Sequence, residues 1–143
     1  MQITLEPYQV AHGIEIMGDP SPMCREILKK YAEAGPAYTA RLADGRIMGC
    51  AGLMVQAPWV ADGWMLPTPL IAQYPIAFHK LVKDSFGILV KSLGLRRVQV
   101  AVDASMPRRC VWIERMGFQR EGLMRRFGSL GEDMYLYALL IGD

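Results

Sequence analysis

Leu95-Arg-Arg-Val-Gln-Val-Ala-Val102, then Pro107 to Met116, Gly117-Phe118, Arg120-Glu121-Gly122, Gly131-Glu132-Asp133 and Met134 to Ile141 form the stretch on which the fold turns. Residues 95–102 interleave apolar and polar side chains with three valines, which predicts a strand. Proline suits the first turn of a helix, and glycine suits its end, so Pro107 to Met116 reads as a short helix closed by Gly117. Met134 to Ile141 is an apolar strand, and the segment between it and Phe118 supplies one more. The order is strand, helix, strand, strand.

Working outward, Ile3 to Leu5 reads as a first strand, and Tyr8 to Met17 as a weak helix interrupted by Gly13. Ser21-Pro22 offers a capping hydroxyl and a first-turn proline. The helix it opens runs to about Ala34 and ends at Gly35-Pro36. Ala37 to Ala43 and Arg46 to Val55 are strands joined by Asp44-Gly45, a strong hairpin signal. Val60 to Leu66 is the next strand, ended by Pro67 and Pro69. From Pro75, apolar residues at 78, 81, 82, 86, 89 and 93 trace one stripe of a long helix that Gly94 caps. Gly49-Cys-Ala-Gly52 suits a bulge and close packing more than a phosphate loop. This order implies an α/β (α+β) chain with a mixed sheet and helices on both faces.

Composition narrows the class. A chain of 143 residues that is 52% hydrophobic and 21% charged suits one well-filled domain and excludes a disordered tail. No apolar run reaches membrane-spanning length, and the N-terminus lacks the pattern of a secretion signal, so a cytoplasmic setting is expected. Cys24, Cys50 and Cys110 are odd in number, far apart and without histidine clusters. Neither a disulfide framework nor a metal site is expected.

The final block, with a helix closed by Gly117-Phe118 and two strands carrying Glu121-Gly122 and Asp133-x-x-x-Tyr137, resembles the C-terminal half of the GCN5-related N-acetyltransferases (GNAT family). The element order matches that family along nearly the whole chain. The resemblance implies a mostly antiparallel mixed sheet with a splayed parallel pair, and acetyl-CoA or another acyl-CoA as cofactor. It implies that the pantetheine arm pairs with backbone groups of Trp64, Met65 and Leu66. The pyrophosphate would sit near Gln73, Tyr74 and Ile76, where helix N–H groups and the helix dipole favour an anion.

Several family positions differ. The family's phosphate loop reads Gln/Arg-x-x-Gly-x-Gly/Ala; here Pro67-Thr-Pro-Leu-Ile-Ala-Gln-Tyr-Pro75 has no glycine, no Arg or Lys and three prolines. The tyrosine that often protonates the departing thiolate falls at Ile113, and the cofactor-contacting asparagine falls at Met106, beside Ser105. Ser105 is a substitute contact or a helix cap. Cys110 is a candidate near the thiol or a small core residue. Asp62 and His79 are the nearest general-base candidates; Asp62 otherwise ends a turn, and His79 otherwise packs at the helix surface. Trp59 and Trp64 line a substrate cleft or fill the core.

From Lys91 to Arg126 the chain carries nine Lys/Arg and three acids, a balance of +6 within a net +2. Solvated edges, phosphate contact and nucleic acid are the readings, and no aromatic interleaving or helix-turn-helix supports the last. Residues 117–128 and 131–138, with Trp64-Met-Leu-Pro67, are also similar to GNAT-like proteins of short-tailed bacteriophages. Two functions follow: an N-acyltransferase acting on a small amine or a protein, or a non-catalytic GNAT-fold phage protein in the virion or bound to a host protein. A homodimer is a further expectation, and host cytoplasm or virion the setting if the chain is phage-encoded.

Overall fold

In the computed structural model, which describes residues 2–142, the breaks between elements fall where the backbone chemistry puts them. The elements are β1 (Ile3–Pro7), α1 (Val10–Met17), α2 (Pro22–Glu33), β2 (Ala37–Leu42), β3 (Ile47–Ala57), β4 (Val60–Pro67), a 3₁₀ turn (Pro69–Gln73), α3 (Pro75–Leu93), β5 (Arg97–Asp103), α4 (Pro107–Arg115), β6 (Gln119–Met124) and β7 (Met134–Leu140). The Ser21 hydroxyl caps α2 by accepting the Cys24 N–H at 3.3 Å. Gly45 and Gly94 adopt φ of 92° and 64°, the left-handed backbone that the hairpin and the end of α3 require. The 3₁₀ turn is the one element that sequence patterning does not anticipate.

The sheet order is β1-β2-β3-β4-β5-β7-β6. β1–β2, β2–β3, β5–β7 and β6–β7 pair antiparallel, whereas β4 and β5 run parallel. Their ladder sets Val60 against Arg97, Ala61 against Val98 and Asp62 against Gln99, and ends there although β4 continues to Pro67. Pairing with β5 thus covers only the first three residues of β4.

By packing, the chain divides into two units. One takes the residues up to Val55 together with Gly63–Leu89; the other takes Gln56–Asp62 with the residues from Val90 onward. In the first, Ala40, Leu42, Met48 and Phe78 form a core cluster joined by Met65 and Tyr74. Tyr8, Ile47 and Cys50 form another, joined by Tyr31, Trp64 and Leu66. A register shift opposite Ala40/Arg41 leaves Met48 bulged from β3, so Ile47 and Cys50 share one cluster although three residues apart. Gly52 is needed for contact: a Cβ there would lie 2.7 Å from the Pro36 carbonyl oxygen.

In the second unit, Val98, Cys110, Ile113, Phe118, Tyr137 and Ala138 are buried. Full burial of a side chain the size of Phe118 contributes about 1.5–3 kcal/mol. A second register shift, between Arg120 and Gly122, bulges Glu121 out of β6. Its carboxylate takes two hydrogen bonds from the Arg97 guanidinium of β5, at 2.6 and 3.0 Å.

Candidate functional site

Alternation along β4 decides where its side chains go. Trp64 and Leu66 join the cluster of Tyr8, Ile47 and Cys50, while Met65 joins that of Ala40, Leu42, Met48 and Phe78. Tyr31 stacks on Trp64 with ring centres 4.2 Å apart and planes 8° from parallel, and Tyr8 meets it edge-on at 5.2 Å. The Trp64 indole N–H is buried without a hydrogen-bond partner. Trp64 is thus part of the core, whereas Trp59 is 60% exposed. Asp62 is half-buried, and its Oδ2 accepts a 2.6 Å hydrogen bond from the Gln56 amide.

The proline-rich segment after β4 is a built turn. Thr68 stands at its head: its hydroxyl donates to the Met48 carbonyl at 2.7 Å and accepts the Leu70 N–H at 3.3 Å. The Tyr74 N–H is directed back to the Ile71 carbonyl, 3.1 Å away, and the Tyr74 side chain packs into the core. Gln73 and Ile76 are exposed. Pro75 has no N–H, and the Phe78 N–H bonds the Tyr74 carbonyl. Ile76 and Ala77 are therefore left as the orphan donors at the start of α3. His79 is half-buried on the same helix.

Ser105 does not cap α4, contrary to one reading of the sequence. The cap position is Met106, which makes no side-chain cap bond. Asp103 captures the serine instead: Oδ1 accepts from the Ser105 hydroxyl at 2.7 Å and from its N–H at 2.9 Å. Those two bonds hold the Asp103 carboxyl below its ordinary pKa. Cys110 and Ile113 both turn inward, at 5% and 8% exposure. Ile113 therefore brings no proton donor to the family's acid position.

Two polar assemblies escape sequence reading because their members are far apart in the chain. In the first unit, the Gln9 N–H donates to His12 Nδ1 at 3.2 Å, which makes Nδ1 the unprotonated nitrogen. The Thr39 hydroxyl, 2.7 Å away, then donates to the same nitrogen and can accept from the Cys50 thiol at 3.2 Å. His12 Nε2 lies 3.5 Å from Glu6, which also pairs with Arg41. Burial pushes the Cys50 thiol pKa up, in keeping with a neutral donor. Thr39 is fully buried, so this arrangement organises the core rather than meeting a substrate.

In the second unit, the Tyr137 hydroxyl donates to Glu114 at 2.7 Å and accepts from Arg120 at 3.0 and 3.2 Å. The Arg120 guanidinium also lies 3.6 Å from the centre of the Tyr135 ring. Burial, then the bond to Glu114, pushes the Tyr137 pKa up to about 12. A phenol that retains its proton so firmly is a poor substitute for the missing acid. Among the described residues no group of His, Cys, Asp and Glu could hold a metal ion, and no helix is long and apolar enough to cross a membrane.

No protein-family model matches the chain, and no curated protein matches it in sequence. Solved structures do match. The spermidine N-acetyltransferase SpeG of Vibrio cholerae, as its F149A mutant, superposes with a TM-score of 0.74 at 16% identity, covering 96% of this chain and 94% of that one. A chimera of SpeG with hSSAT (K23-Y30) gives 0.75 at 16% identity over 98% and 96%. The dodecameric spermidine N-acetyltransferase from Vibrio cholerae gives 0.74 at 16% over 97% and 94%. At this identity the likeness establishes the GNAT fold.

Proposed function

We propose that the chain is an acyl-CoA-dependent N-acyltransferase acting on an amine of a small molecule or a protein. The observation that carries this reading is the β4–β5 ladder of three residue pairs, beyond which β4 runs on through Gly63–Pro67. Backbone groups of Trp64, Met65 and Leu66 would hold the pantetheine arm. The N–H groups of Ile76 and Ala77 would meet the pyrophosphate, with Gln73 beside them. The residues fit the arm better than the phosphates, since the turn supplies neither cation nor glycine. Acyl-CoA, when bound, supplies an activated thioester. Asp62 is the candidate base for the attacking amine, and Ser105 and Cys110 are the candidate proton donors.

The solved neighbours act on spermidine by name, which supports an amine acceptor. Without a tyrosine at Ile113, a factor of roughly 10²–10⁴ in rate is forgone. Turnover is therefore expected well below about 10 s⁻¹. The test is thermal unfolding with acetyl-CoA: ligand at a hundred times Kd adds about 2.7 kcal/mol to the native state and raises Tm. No rise in Tm and no calorimetric heat at millimolar acetyl-CoA would exclude this function.

The buried Ile113 and the proline-set turn favour a second reading, a GNAT-fold protein that binds without catalysis. Absence of both acetyl-CoA binding and turnover would select it. The narrower likeness to phage virion proteins would then become the working expectation.

A further inference from the structure

The loop between β6 and β7 is fixed by its own acidic residues. Asp133 Oδ1 accepts the N–H of Arg126 at 2.9 Å, and Arg126 is held at φ 56°, the one non-glycine residue with positive φ among those described. Glu132 accepts the Leu130 N–H through its carboxylate at 3.1 Å and the Gly128 N–H through its backbone at 2.9 Å. With both acids turned to the backbone, the loop presents Phe127 and Leu130 to solvent, 61% and 93% exposed, beside exposed Arg125 and Arg126.

The same end of this unit carries more positive charge. The Ala104 N–H donates to the Asp133 carbonyl at 2.9 Å, so the base of the loop is fastened to the turn that leads from β5 into α4. Exposed Arg108 and Arg109 stand in the first turn of α4, which holds no acidic residue. There the helix dipole is itself positive, so two arginines are the wrong sign for helix stability. Elsewhere in the unit Arg97 and Arg120 lie against carboxylates; among the described residues none of these four arginines forms an ion pair.

We propose that Arg108, Arg109, Arg125 and Arg126, with Phe127 and Leu130, bind an acidic polypeptide segment carrying an apolar side chain, and that this segment presents the acceptor amine. The identification of the segment as acceptor rests on the acyltransferase reading; the docking does not. Carboxylates match the guanidinium fork in pairs, and Phe127 and Leu130 receive the apolar residue. A peptide can set its carboxylates on the arginines and keep them off Glu132, Asp133 and Asp103, whose charge Arg109 already favours. A uniform phosphate backbone or an anionic lipid surface cannot make that separation. The same charge repels a polycation, which sets this chain apart from the spermidine named for its solved neighbours.

The test is fluorescence anisotropy of the full chain with a labelled Glu/Asp-rich peptide containing one leucine. Its Gln/Asn counterpart, a Lys-rich peptide, a single-stranded oligonucleotide and phosphatidylglycerol vesicles are the competitors. The acidic peptide is expected to bind about tenfold or more tightly than the Gln/Asn peptide, with affinity falling as salt rises. The double variant Arg125→Glu/Arg126→Glu should remove that preference while leaving Tm and any acetyl-CoA-induced rise in Tm unchanged. Phe127→Ser/Leu130→Ser should weaken binding without altering its salt dependence. Equal binding of the two peptides, or preference for the Lys-rich peptide, the oligonucleotide or vesicles, would overturn the proposal. Acidic-peptide binding without acetyl-CoA binding would uphold the docking surface and reject the acyltransferase reading. Acetyl transfer to spermidine in preference to the acidic peptide would uphold the acyltransferase reading and overturn the segment's role as acceptor.

Discussion

Thr39 and Tyr137 are both fully buried, and each uses a hydroxyl to tie charged or titratable groups together. Their settings differ. From Thr39 the hydrogen bonds lead through His12, itself buried, before they reach the half-exposed Glu6. From Tyr137 they reach Glu114 and Arg120 in one step, and those side chains are 51% and 46% exposed. A polar group that loses its partner near Thr39 stays dry, whereas water can replace a partner lost at Glu114 or Arg120. Burial, more than the number of bonds, sets what each assembly is worth.

Thr39→Val is the sharpest challenge to that comparison. It removes the donor to His12 Nδ1 and the acceptor for Cys50 in a dry site, and should cost about 1–3 kcal/mol. Urea unfolding measures it. Tyr137→Phe should cost less, about 0.5–1.5 kcal/mol, because Glu114 and Arg120 regain water. Equal losses from the two variants would break the comparison. Glu114→Gln should fall below about 1 kcal/mol, since the pair it weakens is largely exposed.

The alkaline limb sharpens it further. Burial pushes both Tyr8 and Tyr137 up to about 12 from an ordinary value of 10.0. The unfolded chain ionises these phenols first, so their contribution is complete below pH 10 and is lost as pH rises from 10 to about 12. Melting temperature followed through that window should fall for the wild type and less steeply for Tyr8→Phe and Tyr137→Phe. An unchanged slope in both variants would show that other groups govern alkaline unfolding. Ile113→Tyr should leave the fold intact, costing about 1–3 kcal/mol if the new hydroxyl finds no partner, while raising any measurable acetyl transfer.

Elements defined by local chemistry were legible in the sequence. Asp44-Gly45, Ser21-Pro22 and Gly94 fix their turns and caps through neighbours a few residues away, and the structure keeps them there. The 3₁₀ turn was hidden because Thr68 secures it on Met48, 20 residues earlier. Ser105 looked like a cap, but Asp103 two residues back offered its hydroxyl and N–H a better acceptor. The His12–Thr39–Cys50 chain left no local trace, since its partners stand 27 and 11 residues apart. At the candidate site, β4 could be placed from its pattern; that Trp64 would stack on Tyr31 of α2 depended on tertiary packing.

The turn from Pro67 to Pro75 has a consequence for the thermodynamics of any ligand it meets. Its three prolines and the Thr68 bonds restrict this backbone before a ligand arrives. A glycine-rich phosphate loop would lose conformational entropy on binding, whereas this one has little left to lose. Association at this turn should therefore bring only a small ordering penalty, and amide hydrogen exchange across residues 68–74 should change little between free and ligand-saturated protein.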